Sequence, residues 1–404
     1  MKKLLYFIIP VLIGVIFAFG LNKFLDNEIN KLYQSKNLVP LKNQFSTNIK
    51  DKGLTITDHF LSEGNIMMMG SSELSHAIKR QHPTSYFNTN RSKDGVFTIG
   101  RPYTQTLQDA IMLGSTDPNI KDKKVVLLLS MQWFMDKGGV TRPHFQDRFS
   151  PAQFYAFLKN PAIDKKNKEE MAKRVANLLK GSEEYKPERE YAILYNSNTF
   201  LSKVQKVLLY PYFEFRENMV DLKDKGILYR ALRKLPDKTA KDDKLGKRIN
   251  WKEEQEVALK EAKERSKGNN FKIDNWYYWD VYKKNCKKLK DKYSKDELTK
   301  SKELKDYQYF LNLCRNLGIK PTIVVIPASS WYYDYTGIPE KERYAYYDKV
   351  TEMAKEKGFD VMNLKDKEKV DYYLRDVMHL GTRGWVDVNE KLYKEYNEGQ
   401  IFNN

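Results

Sequence analysis

Cysteine is nearly missing from this 404-residue chain: Cys286 and Cys314 are the only two. That excludes a cysteine-scaffolded fold, and spacing alone leaves open whether the two pair. Histidine is scarce too, with five residues, and no H-E-x-x-H or paired His/Cys spacing occurs, so neither a metal site nor a cofactor is expected. Repeats and low-complexity tracts are lacking. Hydrophobic residues at 41% and aromatics at 13% are too many for a disordered or collagen-like chain. The fold must therefore rest on its core, in one large domain or two modest ones.

Acidic residues are in deficit. Lys plus Arg is 71 against 53 Asp plus Glu, a net charge of +18. Such an imbalance points to a polyanionic partner: nucleic acid, anionic lipid or a phosphate-bearing polymer. The N-terminus narrows the choice. Met1-Lys2-Lys3 precedes an uncharged run, Leu4–Asn22. As a helix its 19 residues reach ~28 Å, close to the ~30 Å hydrocarbon core. Pro10 and Gly14 are tolerable in a membrane helix. Ala18-Phe19-Gly20 also allows a cleaved signal peptide, but the anchor is the preferred reading. Lysines lie before the run, whereas Asp26 and Glu28 soon follow Lys23, so the bulk of the chain is expected outside the cell membrane with the N-terminus cytoplasmic. Nucleic acid is then an unexpected partner.

Along the chain, residues 1–22 read as cytoplasmic tip and anchor, and 23–60 as a polar helical or irregular stalk. An α/β rhythm follows over 61–149. Its strands are expected at Asn65–Met69, Gly95–Ile99 and Val125–Leu129, with helices starting at Glu73 and running near Thr104–Leu113. From 150 to 300 helical signals and charged runs dominate, which reads as a helical insertion with solvated faces. The rhythm resumes over 301–404, with strands at Pro321–Ile326 and Phe359–Leu364, a helix near 340–357 and a last helix from about Trp385.

Chemistry concentrates at two places. Ser72 ends the turn Gly70-Ser71-Ser72 after an apolar strand, where a helix should begin and free N–H groups suit an oxyanion. Serine is also an ordinary N-cap, and Ser71 is the local rival. A serine nucleophile needs a base. His59, His76, His82 and His144 have no carboxylate placed to orient them, although His76 follows Ser72 by four residues on the expected helix. His379 stands in Asp376-Val377-Met378-His379, where the aspartate can turn back to hold the imidazole and leave its other nitrogen for the serine.

A strand-turn-serine early and D-x-x-H late resembles the SGNH/GDSL hydrolase superfamily, with GSSEL at 70–74 where its G-D-S-L block stands and Ser71 in place of the aspartate. More closely, the chain is similar to the DltD proteins of Gram-positive bacteria, which act in D-alanylation of teichoic acids. The matching pieces are the anchor, GSSEL, Gln132-Trp133-Phe134, WYYDYTGI at 331–338 and DVMHLGTRGW at 376–385. The resemblance implies an SGNH-like parallel sheet flanked by helices. It also implies Ser72 as nucleophile, His379 as general base and acid, Asp376 as its orienting partner, and the Ser72 N–H as oxyanion donor. Gly100 and Gln132 are weaker donor candidates, since the superfamily uses a glycine and an asparagine there and Pro102 has no N–H to give. Trp133, Trp331 and Trp385 are candidates to wall the site, though core or rim positions suit each of them.

The reaction so implied is acyl transfer through a seryl ester: D-alanine passes from a membrane-delivered donor to a hydroxyl of the polymer, in company with other D-alanylation proteins in the membrane. An esterase or thioesterase would use the same three residues. A non-catalytic basic scaffold that binds the polymer and its transfer partners would need none of them.

Overall fold

The computed structural model describes residues 2–239, 246 and 248–399, without the side chains of residues 2–8, 10 and 11. Five short strands form one sheet: β1 (Ile66–Met69), β2 (Val96–Ile99), β3 (Val125–Leu129), β4 (Thr322–Val325) and β5 (Val361–Asn363). All pair in parallel, in the order β2-β1-β3-β4-β5. The strands are near-continuous apolar runs because helices cover both faces of the sheet.

Strand alternation divides the core in two. Met67, Met69, Leu127, Leu129, Ile323 and Val325 join one apolar cluster, and Met68, Val126, Leu128, Val324 and Met362 join the other. The first cluster is closed by helices Thr106–Gly114 and Glu303–Asn316, through residues such as Leu107, Tyr307 and Phe310. The second is closed by the last helix, Thr382–Glu398, through Trp385, Val388 and Leu392. The sheet order reverses direction at β1, so a crevice opens at the carboxyl ends of β1 and β3, where ligands bind in open α/β sheets.

From Met131 to Pro321 the described residues contain no strand. They fold mainly as helices, the longest being Phe200–Leu232. Residues 23–60, expected as a stalk, are instead packed. Leu25, Ile29 and Tyr33 of the N-terminal helix Lys2–Ser35, then Leu41, Ile56 and Phe60, are all buried in the first cluster. Their apolar spacing was diluted by charged neighbours, which hid the buried face. The run Leu4–Asn22 lies in that N-terminal helix, and its first side chains fall outside the described residues. Among the described residues no helix is long and apolar enough to cross a membrane. Cys286 and Cys314 are both free, Cys314 fully buried.

Candidate active site

β1 ends at Met69, and the chain turns through Gly70 and Ser71 into a single 3-10 turn, Ser72–Leu74. The helix expected from Glu73 to Ile78 stops there: Ser75 is extended, so His76 leaves the line of Ser72. His76 instead packs edge-on against His82, 4.1 Å between ring centroids, and burial lowers its proton affinity. It is no local base.

The turn is held by its neighbour strand. Gly100, just after β2, has φ +129°, and a Cβ there would lie 1.9 Å from the Gly70 carbonyl oxygen. Only glycine permits so close an approach. The rival serine is also fixed. The Ser71 hydroxyl donates to the Arg101 carbonyl (3.2 Å) and its N–H to Glu73 Oε2 (2.9 Å).

The other half of the site comes from the loop after β5. Leu374 and Leu380 bridge in antiparallel fashion, and Ser329 N–H beyond β4 donates to Val377 O at 3.0 Å. Inside this clasp Asp376 Oδ1 accepts from the N–H groups of Met378 and His379, each at 2.9 Å. Its Oδ2 lies 2.8 Å from His379 Nδ1, and His379 Nε2 lies 2.9 Å from Ser72 Oγ. The D-x-x-H spacing thus makes a turn in which one carboxylate binds both the loop backbone and the imidazole.

Charge follows from these contacts. Burial of Asp376 favours the neutral acid, but the His379 ring and the two N–H groups outweigh it and hold the carboxyl below its usual range. Burial of His379 opposes its protonation, yet Asp376 and then Glu73 outweigh that and raise its proton affinity above the ordinary histidine value. An ionised Asp376 accepts from Nδ1–H, so Nε2 carries the lone pair facing Ser72.

The remaining candidates are placed less directly. Gly100 N–H donates to Asp51 Oδ1 at 2.9 Å, so the structure gives this expected oxyanion donor to a buried carboxylate instead. Gln132, after β3, donates through Nε2 to Glu73 Oε1 at 3.2 Å and keeps a second amide hydrogen. The Ser72 N–H starts the 3-10 turn and has no hydrogen-bond partner among the described residues. Trp133 and Trp385 are core residues, whereas half-buried Trp331 lies tilted against Phe271, 4.1 Å between ring centroids, at the edge of the helical insertion. His59 stacks on Tyr33, His144 on Tyr103, and His82 is buried, far from any charge-relay geometry.

Sequence reasoning missed three contributors. Glu73 is a buried carboxylate that ties Ser71, Gln132 and the charge on His379 together. Asp51, from the expected stalk, holds Gly100 and pairs with Arg101 at 3.0 Å. Asp274, from the helical insertion, donates its N–H to Arg375 O at 2.7 Å, so the insertion braces the D-x-x-H loop. A glutamate directly after an apolar strand-turn was the one available signal. No group of three or more His, Cys, Asp or Glu suited to a metal occurs among the described residues.

The chain is thus an α/β protein whose five-stranded parallel sheet carries a Ser–His–Asp hydrogen-bond chain at its carboxyl edge. Comparison with known proteins makes this specific. The model of the DltD protein family matches residues 42–397, and the chain belongs to that family, whose members act in D-alanylation of teichoic acid. It is 29% identical over 354 residues to Protein DltD of Bacillus subtilis (strain 168), covering 87% of each chain. It is 25% identical over 345 residues to Protein DltD of Staphylococcus aureus (strain NCTC 8325 / PS 47), covering 85% of this chain and 84% of that one. Protein DltD of Lacticaseibacillus rhamnosus is 25% identical over 352 residues, with coverage of 84% and 79%.

Proposed function

We propose that this chain is a serine O-acyltransferase that moves D-alanine onto teichoic acid hydroxyls through an ester on Ser72. The observation that carries the reading is the continuous chain Asp376–His379–Ser72, with links of 2.8 and 2.9 Å. In the first step Ser72 Oγ attacks the carbonyl carbon of a D-alanyl donor while His379 Nε2 takes the hydroxyl proton. The tetrahedral oxyanion receives the Ser72 N–H, and the free amide hydrogen of Gln132 is the second donor available nearby. Collapse breaks the bond to the leaving group, which takes the proton from His379. In the second step a polymer hydroxyl attacks the seryl ester, passes its proton to His379 and releases Ser72 as the alcohol. Asp376 stabilises the imidazolium formed in each step and stays ionised.

The chain works from the outer face of the cell membrane, held by Leu4–Asn22 as a single-pass anchor with the N-terminus cytoplasmic. Exposed Leu12, Ile13, Ile16 and Phe17 on the N-terminal helix support this reading. Its donor is delivered at the membrane by other D-alanylation proteins, and the net charge of +18 suits a polyphosphate acceptor.

The test is ester-linked D-alanine on teichoic acids of cells that lack the native protein and carry Ser72→Ala at wild-type level. Loss of the esters, with the variant folded and in the membrane fraction, is the expected result. Persistence of the esters overturns the catalytic reading and leaves Ser72 a structural cap.

A further inference from the structure

Most of the buried carboxylates in this chain pair with a cation. Asp51 meets Arg101 at 3.0 Å, Asp306 meets Arg174 at 3.0 Å, Glu188 meets Arg216 at 2.7 Å and Glu368 meets Arg343 at 3.0 Å. Asp109 and Glu303 have no such partner among the described residues, and burial raises their proton affinity toward the neutral acid. Glu73 is 3% exposed, and among the described residues no Lys, Arg or His stands at ion-pair distance from it. Its oxygens meet neutral donors instead: Oε2 accepts from Ser71 N–H at 2.9 Å and Oε1 from Gln132 Nε2 at 3.2 Å.

This carboxylate sits where the chemistry feels it. Glu73 directly follows Ser72, and it lies within electrostatic reach of His379. The nitrogen it holds, Gln132 Nε2, is the one whose second hydrogen is free for the oxyanion. An uncompensated carboxylate there opposes the negative charge that develops on the carbonyl oxygen. The opposition ends when the acyl group itself brings a cation. D-Alanine does so: its α-amino group, with an ordinary value of about 7.7–8.0, is an ammonium at about pH 7. Its nitrogen stands two bonds, about 2.5 Å, from the reacting carbonyl carbon. An acyl oxygen held by Ser72 N–H and Gln132 Nε2 therefore lets the ammonium turn toward the carboxylate that holds Gln132. An ionised carboxylate has about four lone-pair sites, so its two N–H partners leave room for a third donor.

We propose that Glu73 receives the α-ammonium of the D-alanyl group and so selects cationic aminoacyl groups for Ser72, a role that rests on the seryl-ester reading above. The ammonium neutralises Glu73, while Gln132 donates one hydrogen to the carboxylate and the other to the oxyanion. An acyl group without the amine, such as acetyl or lactyl, leaves Glu73 unpaired beside the oxyanion and is rejected. The ammonium binds and orients; the bonds made and broken remain those at the carbonyl carbon.

The test is a ratio of rates. The purified full chain receives the D-alanyl and D-lactyl thioesters of N-acetylcysteamine, which carry an ammonium and a hydroxyl at the same position, at about pH 7. Thiol release is followed, with Ser72→Ala as the blank. Both thioesters meet the same His379, so its protonation cancels when their kcat/KM values are divided. Wild type is expected to prefer the D-alanyl thioester about tenfold or more beyond the ratio of their rates with free hydroxide, the scale of a hydrogen bond to a charged group. Glu73→Gln keeps the size, loses the charge and is expected to cut that preference about tenfold, with Glu73→Asp retaining more of it. Glu73→Gln slowing both thioesters in equal proportion makes Glu73 a support for Gln132 and overturns the proposal, leaving the Ser72 chemistry standing. A wild type without the preference overturns it with no variant needed. Neither thioester cleaved above the Ser72→Ala blank overturns the seryl-ester reading and the proposal together.

Discussion

Replacing Asp376 by asparagine keeps the shape of the D-x-x-H loop and reverses one hydrogen bond. The amide oxygen still accepts from the Met378 and His379 N–H groups, so the turn is retained. The amide nitrogen then stands where Oδ2 lies 2.8 Å from His379 Nδ1. Two N–H groups cannot face each other, so the imidazole places its proton on Nε2, which becomes a donor toward Ser72 and ceases to be a base. The imidazolium of the transition state also loses its counter-charge. By the triad precedent the turnover number falls about ten-thousand-fold, or about 5 kcal/mol at 1.36 kcal/mol per tenfold. The assay is D-alanyl transfer or cleavage of an activated D-alanyl ester by the purified chain, with circular dichroism and Tm to show that the fold is kept. A folded Asp376→Asn variant within about threefold of wild type would falsify the assigned base.

Four further outcomes follow from other contacts. Glu73→Gln removes a charge that favours protonated His379, so the acidic limb of the pH–rate profile moves to lower pH. An unmoved limb contradicts the assigned coupling. Gly100→Ala puts a methyl against the Gly70 carbonyl at φ +129° and costs about 3 kcal/mol or more, read as a lower Tm with activity lost in step. The stability that His379 gains from Asp376 is full below about pH 6.5 and is lost as pH rises through its raised value. That of Asp376 is present above its ordinary value and is lost as pH falls through its lowered one. The stability gap between wild type and His379→Ala, followed by urea titration, therefore narrows at both ends of the pH range. Glu303 is fully buried, which raises its proton affinity, and accepts from Thr106 N–H at 2.9 Å. Glu303→Gln is therefore expected to gain stability over wild type as pH rises from about 4.5 to about 8; parallel stability curves count against it.

All five strands were legible because a parallel sheet covered on both faces writes each strand as an apolar run. The D-x-x-H turn was legible because its spacing is its geometry. What sequence could not give was long-range placement. Asp51 and Gly100 are far apart in the chain, and only the folded packing of residues 23–60 brings the carboxylate onto the glycine N–H. The turn after Ser72 looked like a helix start because Glu73, Leu74, Ala77 and Ile78 have helical spacing, yet the backbone becomes extended at Ser75 and ends it after one turn. Glu73 itself was visible as a residue and hidden as a role, since its partners Ser71 and Gln132 meet it only in the closed site.

The central claim is a covalent one, and the most direct measurement is the mass of the Ser72 peptide. The full chain, with its membrane donor system supplied and acid quenching used to preserve esters, is digested and the peptides spanning Ser71 and Ser72 are sequenced by mass spectrometry. A D-alanyl ester on Ser72, lost in His379→Ala and lengthened in lifetime when the polymer acceptor is withheld, is the predicted result. An ester on Ser71, or no ester while D-alanine still reaches the polymer through this chain, would contradict the account.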